Sequence, residues 1–484
     1  MPTRAFLDAF AEQVRVRPHA TALRWGEQTI DYATLNRSTT AAMSTLAQLD
    51  LTPDVPVCVP AEKSPGTIAL LIACVAAGRR VLLPSATLGA DTLARLCAEV
   101  GCGYLLTVGE QLSVRPTGTA GRPMPGPGLL LTTSGSTGTP KVVVLSEAGV
   151  DSFLTWAAQT FHIEPGNRVL NYAPLNFDLC LLDVWAALAA GASVELVTAD
   201  RAADSGYLSA LCAEGQPTHI QAVPFFFRLV TESGQQFPSV RQVLLTGDVT
   251  PLDLLDRTAV AFPNARLWNV YGCTETNDSF VYEVDPVEAR ASGALPIGRP
   301  AAGVEVAVVD AAGEPLTGAA TGELVVRTPF RAAGYLDEGL TGERWHDGWF
   351  RTGDLVRREQ NGLTFLAGRN DHQVKVRGVR TNLQEVEQVV LAHPDVLEAA
   401  VVAVPDDQAG SVLHAVVRRV PGAQVTGLQL RLHCAAALPR TAIPGGFQVG
   451  DDALPRTSTG KVDRSVLRPL RRPVPVGTPL GSES

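Results

Sequence analysis

The sequence predicts an α/β protein. A large N-terminal body, built in several layers from mixed, mostly parallel sheets with a β-rich subdomain, precedes a small mobile α+β domain at the C-terminal end. Three observations predict it. Between about residues 50 and 330, short β-rich runs alternate with Ala/Leu-rich helical patterns, the pattern of βαβ units. Beyond residue 290 the chain changes to paired apolar runs around Gly-rich turns, as in "GVEVAVVDAAGEPLTGAATGELVVRT", which predicts hairpins. After "AGRNDHQVKVRG" a new short pattern begins, of about 100 residues.

Taken in order, "MPTRAFLDAFAEQVRVRP" reads as an amphipathic helix; its acidic residues and lack of a long apolar core exclude a secretory signal. Residues 67–77 are apolar but break at Gly78-Arg79-Arg80, too short a run to span a bilayer, so a buried helix followed by a strand is expected. The strands of the body are "VPVCVP", "RRVLLP", "CGYLLTV", "GASVELVT", "THIQAVP", "VRQVLLTG" and "ARLWNVYG". The last domain should contain helix "LQEVEQVVLAHP", strands "EAAVVAVP" and "LHAVVRRV", and helix "GLQLRLHCAAALP". We therefore expect a body over 1–370, a small domain over 371–470, and a poorly ordered Pro/Gly/Ser-rich tail over 471–484.

Of the 484 residues, 45% are hydrophobic and 18% charged, ample for packed cores. The formal charge of −9 and aromatic content of 6% offer neither a broad basic face nor a stacking platform for nucleic acid, so any nucleotide bound should be a small molecule. The eight cysteines are scattered without a CxxC pair or Cys/His cluster, which predicts buried reduced thiols. A soluble cytoplasmic protein, without membrane or nucleic-acid partner, is the expectation.

Residues 129–146, "LLLTTSGSTGTPKVVVLS", hold a Ser/Thr/Gly-rich loop between two apolar runs. Such a loop can turn backbone N–H groups and hydroxyls onto phosphate oxygens, with Lys141 supplying positive charge. It is not the P-loop of nucleotide triphosphatases: Lys141 follows Pro140 and precedes Val142, where that motif needs Ser or Thr for its metal. A strand–loop–strand phosphate clamp and a plain surface hairpin remain.

Further segments decide between them. "NYAPLNFDLCLLDVW", "TGD" at 246–248, "NVYGCTETND", "GELVVRTPFRAAGYL", "WFRTGDLV", "GRNDHQVKVRG" and "PRTSTGKVDR" follow in that order. Together with the loop they resemble the adenylate-forming superfamily, which includes acyl-CoA synthetases, luciferases and the adenylation domains of nonribosomal peptide synthetases. The resemblance runs from about residue 10 to 470. It implies ATP as co-substrate with Mg2+. It also implies that Thr133, Ser134, Gly135, Ser136, Thr137, Gly138 and Lys141 order the β- and γ-phosphates, that Tyr271 stacks on adenine, and that Gly247 and Asn269 lie beside the base. Thr274 matches the hydroxyl on the α-phosphate, Glu275 the metal-binding carboxylate, and Asp354 the acceptor of both ribose hydroxyls, assisted by Arg369. Lys461 matches the lysine that neutralises charge as the carboxylate attacks phosphorus. With Thr274 and Glu275 it completes the implied catalytic set. Asp371 occupies the hinge position. "GVRTNLQEVE" departs from the usual "GxRIE" at Thr381-Asn382.

The resemblance also places a substrate pocket. Asp178 lies where amino-acid activators carry an Asp for the α-ammonium group; the alternative is an N-cap opening the helix "LLDVWAALA". The remaining lining is Leu179, Leu182, Gln221, Leu244, Thr246, Val270, Asp278 and Ser279. Leu179, Leu182 and Leu244 resemble the linings of proline- and glycine-type activators, implying a compact substrate, proline-, glycine- or alanine-like. Asp278 either faces the pocket, where an extra amine or hydroxyl would satisfy it, or is a loop residue turned to solvent. No "GGxS" attachment serine follows Lys461, so the expectation is a free-standing ligase of natural-product biosynthesis that loads a separate phosphopantetheinylated carrier protein. An acyl-CoA ligase using coenzyme A and a non-catalytic carrier-binding relative are the alternatives.

Overall fold

The computed structural model describes residues 3–49, 54–109, 111–133, 140–369, 373–406 and 410–455, with Val462, Arg464, Val466 and Leu467 beyond. Ser134, Gly135, Ser136, Thr137, Gly138, Asp371, Lys461 and the 471–484 tail lie outside the described residues.

The alternating strands of the body divide between two sheets. In the first, of nine strands, Arg266–Cys273, Gln242–Thr246, His219–Ala222, Arg168–Asn171, Ser193–Leu196 and Thr21–Trp25 run parallel side by side. Antiparallel strands Asn277–Glu283 and Arg299–Pro300 extend one edge, and Gln28–Asp31 the other. In the second, of seven strands, Tyr104–Val108, Val57–Cys58, Arg80–Leu83 and Gly128–Thr133 form the parallel centre. There "KVVVLS" does form a strand, Lys141–Val144, antiparallel to Gly128–Thr133, so a strand stands on each side of the Ser/Thr/Gly-rich segment. Beyond residue 300 a six-stranded antiparallel sheet is built on Ala320–Arg327 and Trp349–Arg358.

The helix Pro65–Ala76 is buried on nearly every side, as its unbroken apolar composition requires. Ser64 caps it, accepting from the Thr67 amide at 3.1 Å, and Pro65 opens it. The N-terminal helix Arg4–Val16 lays Phe6 and Phe10 against Trp185 and Tyr32. One hydrophobic core, including Leu71, Val81, Trp185 and Val194, runs through the space between the two large sheets.

The C-terminal residues have their own core, with Val386, Val390, Val401, Leu413, Leu430 and Cys434 fully buried. Two strands match the expectation, Val396–Asp406 and Gly410–Arg419; a third, Gly446–Gly450, joins parallel to the second. The helix Gly427–Ala437 opens with a reciprocal Thr426/Gln429 cap. Where "GxRIE" is altered, Asn382 caps the helix Leu383–Leu391, accepting from the Gln384 amide at 2.9 Å.

A short hairpin, Gln373–Val376 with Val379–Asn382, turns on Arg377 and Gly378 alone. Both have positive φ, 51° and 79°, the geometry of a type I′ turn. Its tip rests on the body: a Cβ added to Gly378 would lie 2.2 Å from Val223 Cγ1, and the Arg377 guanidinium sits 5.5 Å from the Phe225 ring. A second contact joins Thr92 Oγ1, donating at 3.3 Å, to the Ala437 carbonyl.

None of the eight cysteines forms a disulfide, and seven are buried. Among the described residues no helix is long and apolar enough to cross a membrane.

Candidate active site

The C-terminal ends of parallel strands leave their side chains and following loops around one crevice, where α/β proteins bind ligands. Here Gln242–Thr246 ends in Gly247-Asp248, and Arg266–Cys273 carries Asn269, Val270 and Tyr271. They wall a cavity of about 190 Å³ together with Ile297, Phe365 and, from the C-terminal hairpin, Lys375. Gly247, at φ 80°, passes so close to Val223 that a Cβ would lie 2.9 Å from it.

Asp354 and Arg369 stand directly opposite each other on neighbouring antiparallel strands and form a buried ion pair. The other carboxylate oxygen of Asp354 accepts from the Tyr271 phenol at 2.5 Å. Burial and the Asp354 charge hold that phenol protonated far above its ordinary range. Arg369 also donates to the Thr352 carbonyl at 3.2 Å, so three strands fix the carboxylate. The Asn269 amide nitrogen donates to the Pro296 carbonyl at 2.6 Å, which turns its oxygen the other way, the acceptor end an exocyclic amine needs.

Glu275 is buried, and its carboxylate accepts from the Tyr335 phenol at 2.5 Å. The Lys141 ammonium lies 5.6 Å from the centre of the same ring. Thr133 pairs with Lys141 in the strand register, on the side of that strand away from Tyr335. Tyr335 thus gathers Lys141 and Glu275, and the sequence reading missed it, although "GELVVRTPFRAAGYL" contains it. Among the described residues no group of three metal-ligating side chains occurs. A single buried carboxylate suits Mg2+, which is held by one or two carboxylates together with substrate phosphates and water.

Asp178 is half-buried and hydrogen-bonded by the Thr274 hydroxyl. Burial, then the Glu275 charge, raise its carboxyl above the ordinary value. The turn that follows, Leu181–Ala186, is π-helical, with Cys180 at its cap and no side-chain bond there, while the Asp178 carboxylate also accepts from the backbone at Asp178 and Leu179. Asp278, opposite Gly272 in the strand register, lies near enough to Asp178 to feel its charge. Asp278 is half-buried, and its Oδ2 is buried without a hydrogen-bond partner.

Behind these two carboxyls runs a buried polar chain. Lys63 donates to the carbonyls of Asn171 and Tyr172 at 3.1 and 3.0 Å; Asn171 donates to Asp183 at 3.2 Å; the Gln221 amide donates to Asp183 at 2.7 Å and to the Leu179 carbonyl at 3.2 Å. Burial brings the Lys63 ammonium down to about 8. Leu182, Leu244, Thr246 and Val270 are buried and Leu179 half-buried. Val270 also stands in the wall of the 190 Å³ cavity. The Ser279 hydroxyl donates to Thr276 at 3.1 Å and is thereby occupied locally.

Asp248 and Lys375 were also missed. The Asp248 carboxylate accepts from the Val249 amide at 2.8 Å and from the backbone of Gly378, with Lys375 nearby; Lys375 in turn lies 5.9 Å from the Tyr271 ring centre. "TGD" therefore holds the hairpin tip at the cavity mouth.

Burial and Asp178 push the Asp278 carboxyl up to about 8. A native pKa above the unfolded value means that the native state binds more protons, so stability falls as pH rises from about 4 to about 8. Asp278→Asn should therefore melt about 2 °C or more above the parent at pH 8, with the gap closing toward pH 4. Scanning calorimetry at both pH values checks this; an equal gap at both would exclude titration as its source.

The family model described as AMP-binding enzyme matches residues 10–125 and 126–336, and that of the AMP-binding enzyme C-terminal domain matches 385–461. An L-proline--[L-prolyl-carrier protein] ligase of Pseudomonas fluorescens is 34% identical over 82% of this chain and 79% of its own length. A ligase of the same name from Streptomyces coelicolor is 35% identical over 72% of this chain and 68% of its own. In fold, the chain is similar to an o-succinylbenzoate CoA synthetase double mutant from Bacillus subtilis, with a TM-score of 0.82 at 23% identity, covering 94% of this chain and 97% of that one.

Proposed function

The chain belongs to the family of AMP-binding enzymes, and from that premise we propose that it activates the carboxylate of a compact amino acid with ATP. The aminoacyl-adenylate forms with release of pyrophosphate, and the aminoacyl group then passes to the phosphopantetheine thiol of a separate carrier protein. The observation that carries the amino-acid reading is Asp178, a carboxylate desolvated by its surroundings beside Thr274 and Glu275, with no cation among the groups that act on it. A buried anion needs a cationic partner, and a substrate α-ammonium supplies one. The names of the two proline ligases support the same reading.

In this reading Asp354, fixed by Tyr271 and Arg369, accepts the ribose hydroxyls. Thr274, whose hydroxyl bonds Asp178 here, exchanges that partner for the α-phosphate when nucleotide is bound. Glu275 would hold Mg2+, which when bound neutralises phosphate charge. Lys141, with residues 133–138, grips the departing pyrophosphate. Lys461, by its match to the family lysine, sits between the attacking carboxylate and the α-phosphate. Eight cysteines without a disulfide suit a cytoplasmic setting.

The experiment is amino-acid-dependent exchange of labelled pyrophosphate into ATP over a panel of amino acids, followed by loading of a phosphopantetheinylated carrier protein. Exchange with no amino acid would refute activation; transfer to coenzyme A but to no carrier would refute the acceptor. Lys461→Ala retaining full exchange would refute that residue's role.

We assign the second step to the small domain, pivoting at Asp371, with the hairpin tip at the cavity mouth as the arrangement for transfer. Gly378 has positive φ and no room for a Cβ against Val223. Gly378→Val should lower carrier loading by about tenfold or more while exchange falls by less than about threefold. Single-turnover loading beside exchange separates the two, and parallel losses would contradict the assignment.

A further inference from the structure

The acid side of the substrate pocket holds more acceptors than a plain imino acid can satisfy. Asp178 takes one cation. Asp278 stands beside it with a buried oxygen that meets no donor, and it lies within charge range of the Asp178 and Asp183 carboxyls. The nearest buried ammonium, Lys63, is committed to the carbonyls of Asn171 and Tyr172, on the Asp183 side of the polar chain. Gln221, a third lining residue, spends its amide nitrogen on Asp183 and the Leu179 carbonyl, so the end it has left to offer is its oxygen.

Proline carries one ammonium and, beyond it, only methylene groups. Bound here it would neutralise Asp178 and leave Asp278 buried against hydrocarbon, at a cost of about 1–3 kcal/mol for the unmet oxygen alone. A substrate with a second ammonium two to three bonds beyond its α-carbon supplies the missing donor, and its charge is opposite to that of an ionised Asp278. The buried leucines Leu182 and Leu244 keep the substrate short.

We propose that this chain selects a compact diamino acid, its α-ammonium on Asp178 and its second ammonium on Asp278, with Asp278 the residue that sets the preference. This rests on the amino-acid activation proposed above.

The test is pyrophosphate exchange with matched pairs: alanine against 2,3-diaminopropionate, 2-aminobutyrate against 2,4-diaminobutyrate, with proline and homoserine alongside. The expected result is at least one diamino acid exceeding both its matched partner and proline by tenfold or more in kcat/KM. In Asp278→Asn and Asp278→Ala that ratio should collapse to within threefold. Proline or a monoamino acid equalling every diamino acid would overturn the proposal, as would homoserine outranking 2,4-diaminobutyrate, or a preference that survives in both variants. If the variants do not fold, the matched-pair ratio of the parent decides alone. Proline exchanging while diamino acids do not would overturn this inference and leave the activation reading standing; exchange with no amino acid at all would remove the activation reading itself.

Discussion

Asp354→Ala should raise the KM for ATP in pyrophosphate exchange by roughly 100-fold, since two hydrogen bonds to a charged acceptor contribute about 1.5–3 kcal/mol each and part of that is recovered by water. The side chain is the meeting point of the Tyr271 phenol and the Arg369 guanidinium. Truncation therefore removes the diol acceptor and also strands a buried phenol and a buried cation. Asp354→Asn separates the two effects: it keeps the volume and one acceptor oxygen but loses the charge, and should fall between parent and Ala. Both variants need melting curves beside the kinetics. A KM for ATP within twofold of the parent in a folded Asp354→Ala protein would refute the ribose assignment.

The second large effect is expected at Asp178. Removing one partner of a buried ion pair costs about 3–5 kcal/mol, so Asp178→Ala should lower kcat/KM for the amino acid by roughly 10²–10³-fold. The KM for ATP should move less than that for the amino acid, because the cavity proposed for the nucleotide is walled by Asn269, Tyr271 and Lys375, and Asp178 reaches the phosphate side only through Thr274 and Glu275. The same variant should discriminate less between an amino acid and its des-amino analogue. Unaltered discrimination would place the ammonium elsewhere.

How far the sequence reveals such a site depends on how each residue is held. Tyr271, Asp354 and Arg369 stand in contiguous motifs on strands, so a local pattern locates them. Lys63 sits in "PAEKSPG", which reads as an exposed loop, and only the packing of two sheets brings it to Asn171 and Tyr172. Asp183 reads as one more residue of an α-helix, since nothing in "LLDVWA" announces a π-helical turn. Tyr335 works through an antiparallel pairing with Lys141–Val144, from nearly 200 residues away in the chain, and long-range register is invisible to local periodicity.

The same limit applies to the fold. Alternating strand and helix patterns predict parallel sheet, but adjacency in sequence does not say which strands share a sheet, and here they divide between two. Gly446–Gly450 escaped notice because a five-residue segment with glycine at both ends carries little strand propensity; its pairing with His414–Arg418 holds it instead. Whether Asp278 faced solvent or pocket could not be read from "NDSF" at all, and depended on the register opposite Gly272.

The position of Lys63 has a bearing on how such pockets change over time. It leaves the loop after one large sheet and fastens the carbonyls at the end of a strand in the other, directly under the carboxyl that orients Gln221. The floor of the pocket is thus a joint between two separately encoded layers. A recombinant that grafts residues 168–280 from a relative, and with them every lining residue from Asp178 to Ser279, would leave this fastening behind in the recipient. Grafts that carry the loop of Lys63 along should keep the donor's selectivity, and those that do not should lose it together with thermal stability.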